Sequence, residues 1–148
     1  MSYQTMVGSE IAISAALPAT EDEAGYAALT YTPIGEITDF GEMTAQRTEV
    51  THEPVKTGIV HKGKGSTNYG TRNTAIALDL NDAGQIIALA AQEDPAPYSM
   101  RETWQDGTVV YYQALIMSFP YSAGGGTNAV RAGTLSQSVT TKPVVVPA

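Results

Sequence analysis

Apolar positions in this chain recur mainly at every second residue. Ile11, Ile13 and Ala15 alternate with Ala12, Ser14 and Ala16, and Thr74, Ile76, Leu78 and Leu80 alternate with Ala75, Ala77 and Asp79. That is the period of a strand with one face turned inward. Residues 1–8 are polar and predict an N-terminal arm. Pro18 and the run Glu21-Asp22-Glu23 interrupt the first strand, because proline cannot donate to a ladder and adjacent carboxylates prefer water, so 18–25 is predicted as a surface loop. Strand character resumes at Ala28–Tyr31, at Ile34–Phe40 around the turn residues Pro33 and Gly35, and at Met43–Thr51, where threonine recurs without helix formers.

One segment carries the helical period instead. Over 82–93, Asn81 or Asp82 can cap, Gln85 sits three residues on, and Ile86, Leu89 and Ala90 share a face. Ile87 and Ala91 make a second face apolar, which predicts burial on more than one side. Asp94-Pro95 ends the helix. Beyond it, Tyr98–Trp104 and Val109–Phe119 flank Asp106-Gly107, the pattern of a hairpin with a two-residue type I′ turn. A second turn at Ala123-Gly124-Gly125-Gly126 leads to a strand over Asn128–Thr141, and 142–148, with Pro143 and Pro147, reads as a C-terminal tail. The order of elements predicts one mainly β (α+β) domain spanning 1–148.

Composition agrees with a folded domain. A chain of 148 residues with 43% apolar and 16% charged residues is long enough to bury roughly 70% of its unfolded surface. The absence of cysteine excludes disulfides, thiolate metal sites and cysteine nucleophiles and suits assembly in a reducing cytoplasm. No apolar run approaches the ~18 residues of a membrane span, and Glu10 before Ile11–Leu17 does not suit a secretion signal; a soluble chain with no membrane anchor is expected.

Charge adds an asymmetry. Fifteen acids against eight bases give −7, which opposes nonspecific binding to phosphate backbones. Yet Arg47, Lys56, Lys62, Lys64 and Arg72 fall in a stretch whose only acids are Glu49 and Glu53. The long basic region 41–73, with four glycines between Pro54 and Gly70, predicts an exposed loop or a protruding hairpin. Its charge reads either as a solvated face or as a contact surface for an acidic neighbour.

Catalytic patterns fail on inspection, and the chain is expected to be no enzyme, with no catalytic, cofactor-binding or metal residues. Gly58-Ile59-Val60-His61-Lys62-Gly63-Lys64 follows a phosphate-binding loop up to its lysine, with Asp79 ending an apolar run as a magnesium ligand would. Gly65, however, replaces the Ser or Thr that must ligate magnesium, and Ser66–Gly70 starts no helix. His52 and His61, the two histidines, lack cysteine partners and read as surface residues. No Gly-x-Ser-x-Gly elbow accompanies them. Nothing brings carboxylates such as Glu93 and Glu102 together for glycosidic chemistry, and Asn81-Asp82-Ala83-Gly84 is too short for a calcium loop. Trp104, Tyr111, Tyr112 and Tyr121 gather around the predicted hairpin, either as cross-strand packing or as an interface.

The order of these features resembles the tail-tube family of long-tailed bacteriophages, the lambda-like major tail proteins, over roughly Ile11–Thr140. Ile34-Gly35-Glu36-Ile37-Thr38-Asp39-Phe40-Gly41 leads to Glu49-Val50-Thr51. The long basic loop follows, then a strand ending at Asp79, one helix with Gly84-Gln85-Ile86, and the Asp106-Gly107 meander. The resemblance implies a β-sandwich flanked by one α-helix, hexameric rings stacked into a tube, and location in the virion tail after synthesis in the host cytoplasm. Implied partners are further copies of the chain, tape-measure protein, tail terminator and baseplate or tip proteins, with phage DNA passing through the lumen unbound. Arg47, Lys56, Lys62, Lys64 and Arg72 would then meet Glu21, Asp22 and Glu23 of an adjacent ring. The alternative is a secreted or surface β-sandwich binding module, an adhesin or carbohydrate-binding domain, with Trp104 and the tyrosines as its platform.

Overall fold

A computed structural model describes residues 3–148. The elements run β1 (Glu10–Ser14), α1 (Glu23–Ala27), β2 (Thr32–Ile34), β3 (Ile37–Asp39), β4 (Gln46–His52), β5 (His61–Asn68), β6 (Thr71–Ala77), α2 (Ala83–Glu93), β7 (Tyr98–Thr103), β8 (Val109–Ser118), β9 (Ala132–Val139) and β10 (Val144–Val146). The mainly β class read from the alternating pattern is the class observed. Eight strands form one curled antiparallel sheet in the order β2-β1-β7-β8-β9-β6-β3, with β10 added beside β8, while β4 and β5 form a separate two-stranded sheet.

The curl follows from connectivity. β2 and β3 are opposite edges of the sheet, yet only Gly35 and Glu36 separate Ile34 from Ile37. The two edges must therefore meet, and the sheet wraps around a core of Ile11, Ile13, Ile76, Met100, Tyr112 and Leu135 in the manner of a sandwich. Glu36 turns this corner at φ 60°, a left-handed conformation uncommon for a residue with a Cβ.

Helix α2 packs against β2, β1 and β8, and its N-terminal residues are anchored at the β2–β3 corner. Asp82 caps it, its Oδ2 accepting from Gln85 N at 3.0 Å and from Gly35 N at 3.0 Å. Gln85 does not return to the cap as a capping box would. It is fully buried, donates from Nε2 to Gly35 O at 3.1 Å and Ala77 O at 2.9 Å, and accepts from Asp79 N at 3.0 Å. One amide thus ties the β2–β3 corner to the end of β6. The buried face of α2 is Gly84, Gln85, Ala88 and Ala91, with Ile87 and Leu89 partly covered and Ile86 and Ala90 exposed. This corrects the face read from the larger residues: small side chains face inward because the helix backbone lies close against β2. A Cβ on Gly84 would come within 2.2 Å of Pro33 O.

Other differences have local causes. The segment predicted as loop 18–25 and strand 28–31 contains α1, capped by Asp22, because Tyr26 is pulled inward to stack on Tyr111 at 5.3 Å between ring centroids. The β7–β8 turn is not type I′. Only Gly107 has positive φ, Trp104 N donates to Thr108 O, and Asp106 Oδ1 accepts from Thr108 N, so the turn is a three-residue loop closed by a glycine. β9 begins at Ala132 rather than Asn128. Of the predicted C-terminal tail, Val144–Val146 pairs with Val109–Tyr111 as β10, because three β-branched residues between Pro143 and Pro147 suit an edge strand. In the predicted N-terminal arm, residues 3–8 are outside any strand and residues 1 and 2 lie outside the described residues.

Candidate functional site

The region predicted as loop or hairpin is a hairpin. β4 and β5 pair antiparallel with Val50 opposite Gly63, Thr51 opposite Lys62 and His52 opposite His61, and a bulge lies between Arg47 and Glu49. Gly65 permits the close approach of the two strands there, since a Cβ would fall 2.9 Å from Val50 Cγ2. The predicted boundary 41–73 overshoots at its C-terminal end: Gly70 turns the chain at φ 81°, and Thr71–Asn73 already belong to β6 of the main sheet.

No part of β4 is covered; all seven of its residues are exposed. An isolated two-stranded sheet is at best marginally stable in water, and this one also holds Val50, Val55, Ile59 and Val60 in solvent, Val55 at 101% relative exposure. Its cations are poorly compensated. Arg47, Lys62 and Lys64 line an open cleft of about 340 Å³ together with Glu49. Lys62 lies 3.7 Å from Glu49, both well exposed, an interaction worth roughly 0–1 kcal/mol. Lys56 stands exposed in the turn beyond.

Arg72 does not belong with them. Its side chain is 3% exposed, inside the sheet, and its Nη1 donates to Glu102 Oε2 at 2.9 Å. Nε donates to Phe40 O at 2.9 Å, and Nη1 also lies 3.4 Å from the Tyr112 hydroxyl. Burial pulls the guanidinium down, but Tyr112 and Glu102 outweigh it and hold the group above its ordinary pKa. Burial is also the main reason Tyr112 is pushed up to about 12, so its hydroxyl stays protonated and donates to Gln137 Oε1 at 2.7 Å. Gln137 Nε2 in turn donates to Thr74 Oγ1, and Thr74 Oγ1 to Phe40 O. An inter-ring role for Arg72 is therefore corrected: the residue closes a buried network. Nothing in the local sequence separates it from the exposed cations except its place in the alternation of β6, where Arg72, Thr74 and Ile76 point inward.

The acidic triplet is exposed, with distinct roles inside it. Asp22 Oδ1 accepts from Gly25 N at 2.8 Å and from Thr20 Oγ1 at 2.7 Å as the cap of α1. The Gly25 amide first, and then the Thr20 hydroxyl, hold its carboxyl below the usual value. Glu21 and Glu23 are free of such bonds among the described residues.

The remaining candidates are scattered. Lys64 lies on the hairpin, whereas Asp79 caps the turn before α2 through Asn81 N. Glu102 is bound to Arg72, while Glu93 accepts from the Tyr121 hydroxyl at 3.0 Å. Among the described residues no three His, Asp or Glu side chains cluster as metal ligands. No protein-family model matches the chain, and no curated protein matches it. Sequence reasoning missed Arg101, whose guanidinium lies 4.9 Å above the Tyr31 ring and 3.4 Å from Glu10 Oε1. No local pattern marked it, since its partners Glu10 and Tyr31 are brought beside β7 only by the fold.

Proposed function

We propose that this chain is a structural subunit that assembles with copies of itself into stacked rings, the tail tube of a long-tailed bacteriophage. The observation that carries the proposal is the hairpin. A basic arm with both faces in solvent and four exposed aliphatic side chains gains stability only when another surface covers it, at about 1.5–3 kcal/mol for each such side chain fully buried. The arm's cations, Arg47, Lys56, Lys62 and Lys64, suit the exposed Glu21 and Glu23 of a neighbouring copy, with Asp22 adding charge beside them. A closed ring also covers the open edges of the two-stranded sheet β4–β5.

On this reading the net charge of −7 repels DNA from the wall of the conduit. Tape-measure, terminator and tip proteins would occupy the lumen and the ends of the tube, and the virion tail is the protein's location. The binding-module reading has less support. Tyr111 and Tyr112 are buried, and Trp104 and Tyr121 lie beyond opposite ends of the ten-residue strand β8, roughly 30 Å apart along it, so these four residues make no joint stacking platform.

Sedimentation velocity over a range of protein and salt concentrations tests the proposal. Oligomers that grow with protein concentration are expected, and the triple variant Lys56→Glu, Lys62→Glu, Lys64→Glu should reduce them. A monomer throughout, or assembly indifferent to the triple variant, contradicts it.

A further inference from the structure

We infer that His52 and His61 form a site for one divalent transition-metal ion, with Zn²⁺ as the representative, at the free end of the hairpin. The two residues are direct partners in the ladder, and their rings lie 6.4 Å apart between centroids with 30° between planes. Both side chains are exposed, and among the described residues neither ring makes a hydrogen bond, so imidazole nitrogens are free to act as ligands. Imidazole nitrogen is a preferred donor for Zn²⁺, Ni²⁺ and Cu²⁺.

The geometry is close to what one ion needs. Zn–N bonds of about 2.0–2.1 Å at a tetrahedral angle place two ring centroids roughly 5 Å apart. Rotation about χ1 and χ2 of two exposed side chains supplies the remaining ~1 Å, since such rotamers interchange freely in solvent. The charges of the hairpin are arranged so as not to interfere. Side chains alternate across a strand, so Glu49, Thr51, Lys62 and Lys64 share one face, as the Glu49–Lys62 contact requires. His52 and His61 share the other face with Val50 and Gly63. A bound cation therefore meets none of the ladder's lysines on its own face, and the open space beside Gly63 leaves room for the waters that complete its coordination.

Such an ion would staple the last ladder pair and close the turn of residues 53–60 upon it. The inference does not rest on the proposed assembly and concerns the dissociated subunit, in which both histidines are exposed. It is tested by isothermal titration of the whole protein with ZnCl₂ in a non-coordinating buffer, at the protein concentration and salt at which sedimentation shows single subunits, with amide hydrogen exchange recorded alongside. One ion per chain is expected, and slower exchange at Val50–His52 and His61–Gly63. His52→Ala and His61→Ala should each weaken binding tenfold or more, whereas Thr51→Ala, on the opposite face of the hairpin, should leave it unchanged. These variants lie on an exposed arm and leave the core intact. Absence of binding by the wild type, equal binding by the histidine variants, or unaltered exchange in the hairpin would each overturn the assignment.

Discussion

Arg72 on β6 and Glu102 on β7 are joined at 2.9 Å although β8 and β9 lie between their strands in the sheet order. The contact exists because the sheet curls, and it pins the curl from inside. Removing one partner of a buried pair leaves an uncompensated charge, at a cost of about 3–5 kcal/mol. Arg72→Met should therefore destabilise the protein by that amount in chemical denaturation. The double variant Arg72→Met, Glu102→Leu should recover most of the loss. If Arg72→Met alone is neutral, the pair does not hold the curl.

The same network sets an alkaline limit. Tyr112 has its pKa raised from 10.0 to about 12 by burial, so the unfolded state gives up this proton first. Its contribution is fully present below pH 10 and is lost as pH rises towards about 12, at on the order of 1 kcal/mol per pH unit. Denaturation midpoints measured across this window should fall more steeply for wild type than for Tyr112→Phe. Parallel slopes would show that this phenol is not the titrating group.

Close packing of α2 makes a substitution that helix propensity favours into a harmful one. Gly84→Ala gains up to about 1 kcal/mol of propensity, but the new methyl group would sit 2.2 Å from Pro33 O and 2.6 Å from Ile34 Cα. Both are backbone atoms, and overpacking of this kind costs about 1–3 kcal/mol. A net loss of thermal stability is expected, against a change within about 0.5 kcal/mol for Gly63→Ala, whose Cβ meets nothing within 4 Å. A Gly84→Ala variant as stable as wild type would mean that the helix stands off from β2.

Much of this fold could be read from period alone. β1, β6, β7 and β8 announce themselves by alternation, and Asp94-Pro95 marks the end of α2 within a residue. The failures arose where tertiary contacts decide. Tyr26 falls between the predicted loop 18–25 and strand 28–31 and has no place until Tyr111 is set beside it, and Ile86 outranks Ala88 as a core residue until the distance from α2 to the sheet is known. Arg72 looked like one more cation of a basic stretch, because its in-phase place with Thr74 and Ile76 puts it inward only once β6 is known to begin at Thr71, and its buried partner Glu102 lies on a strand far away in sequence. The exposed cations of the hairpin were legible, since glycines and lysines without an apolar period have no core to join.

The central claim is that the hairpin is an assembly arm and not a part of the folding core. Negative-stain electron microscopy of the concentrated wild type, beside a variant in which a short Gly-Ser linker replaces residues 47–67, tests it most directly. Rings of six or stacked tubes are expected for wild type, and dispersed but folded subunits, with a thermal midpoint close to wild type, for the variant. Wild-type fields showing only single subunits across several salt conditions, or normal tubes from the variant, would contradict it.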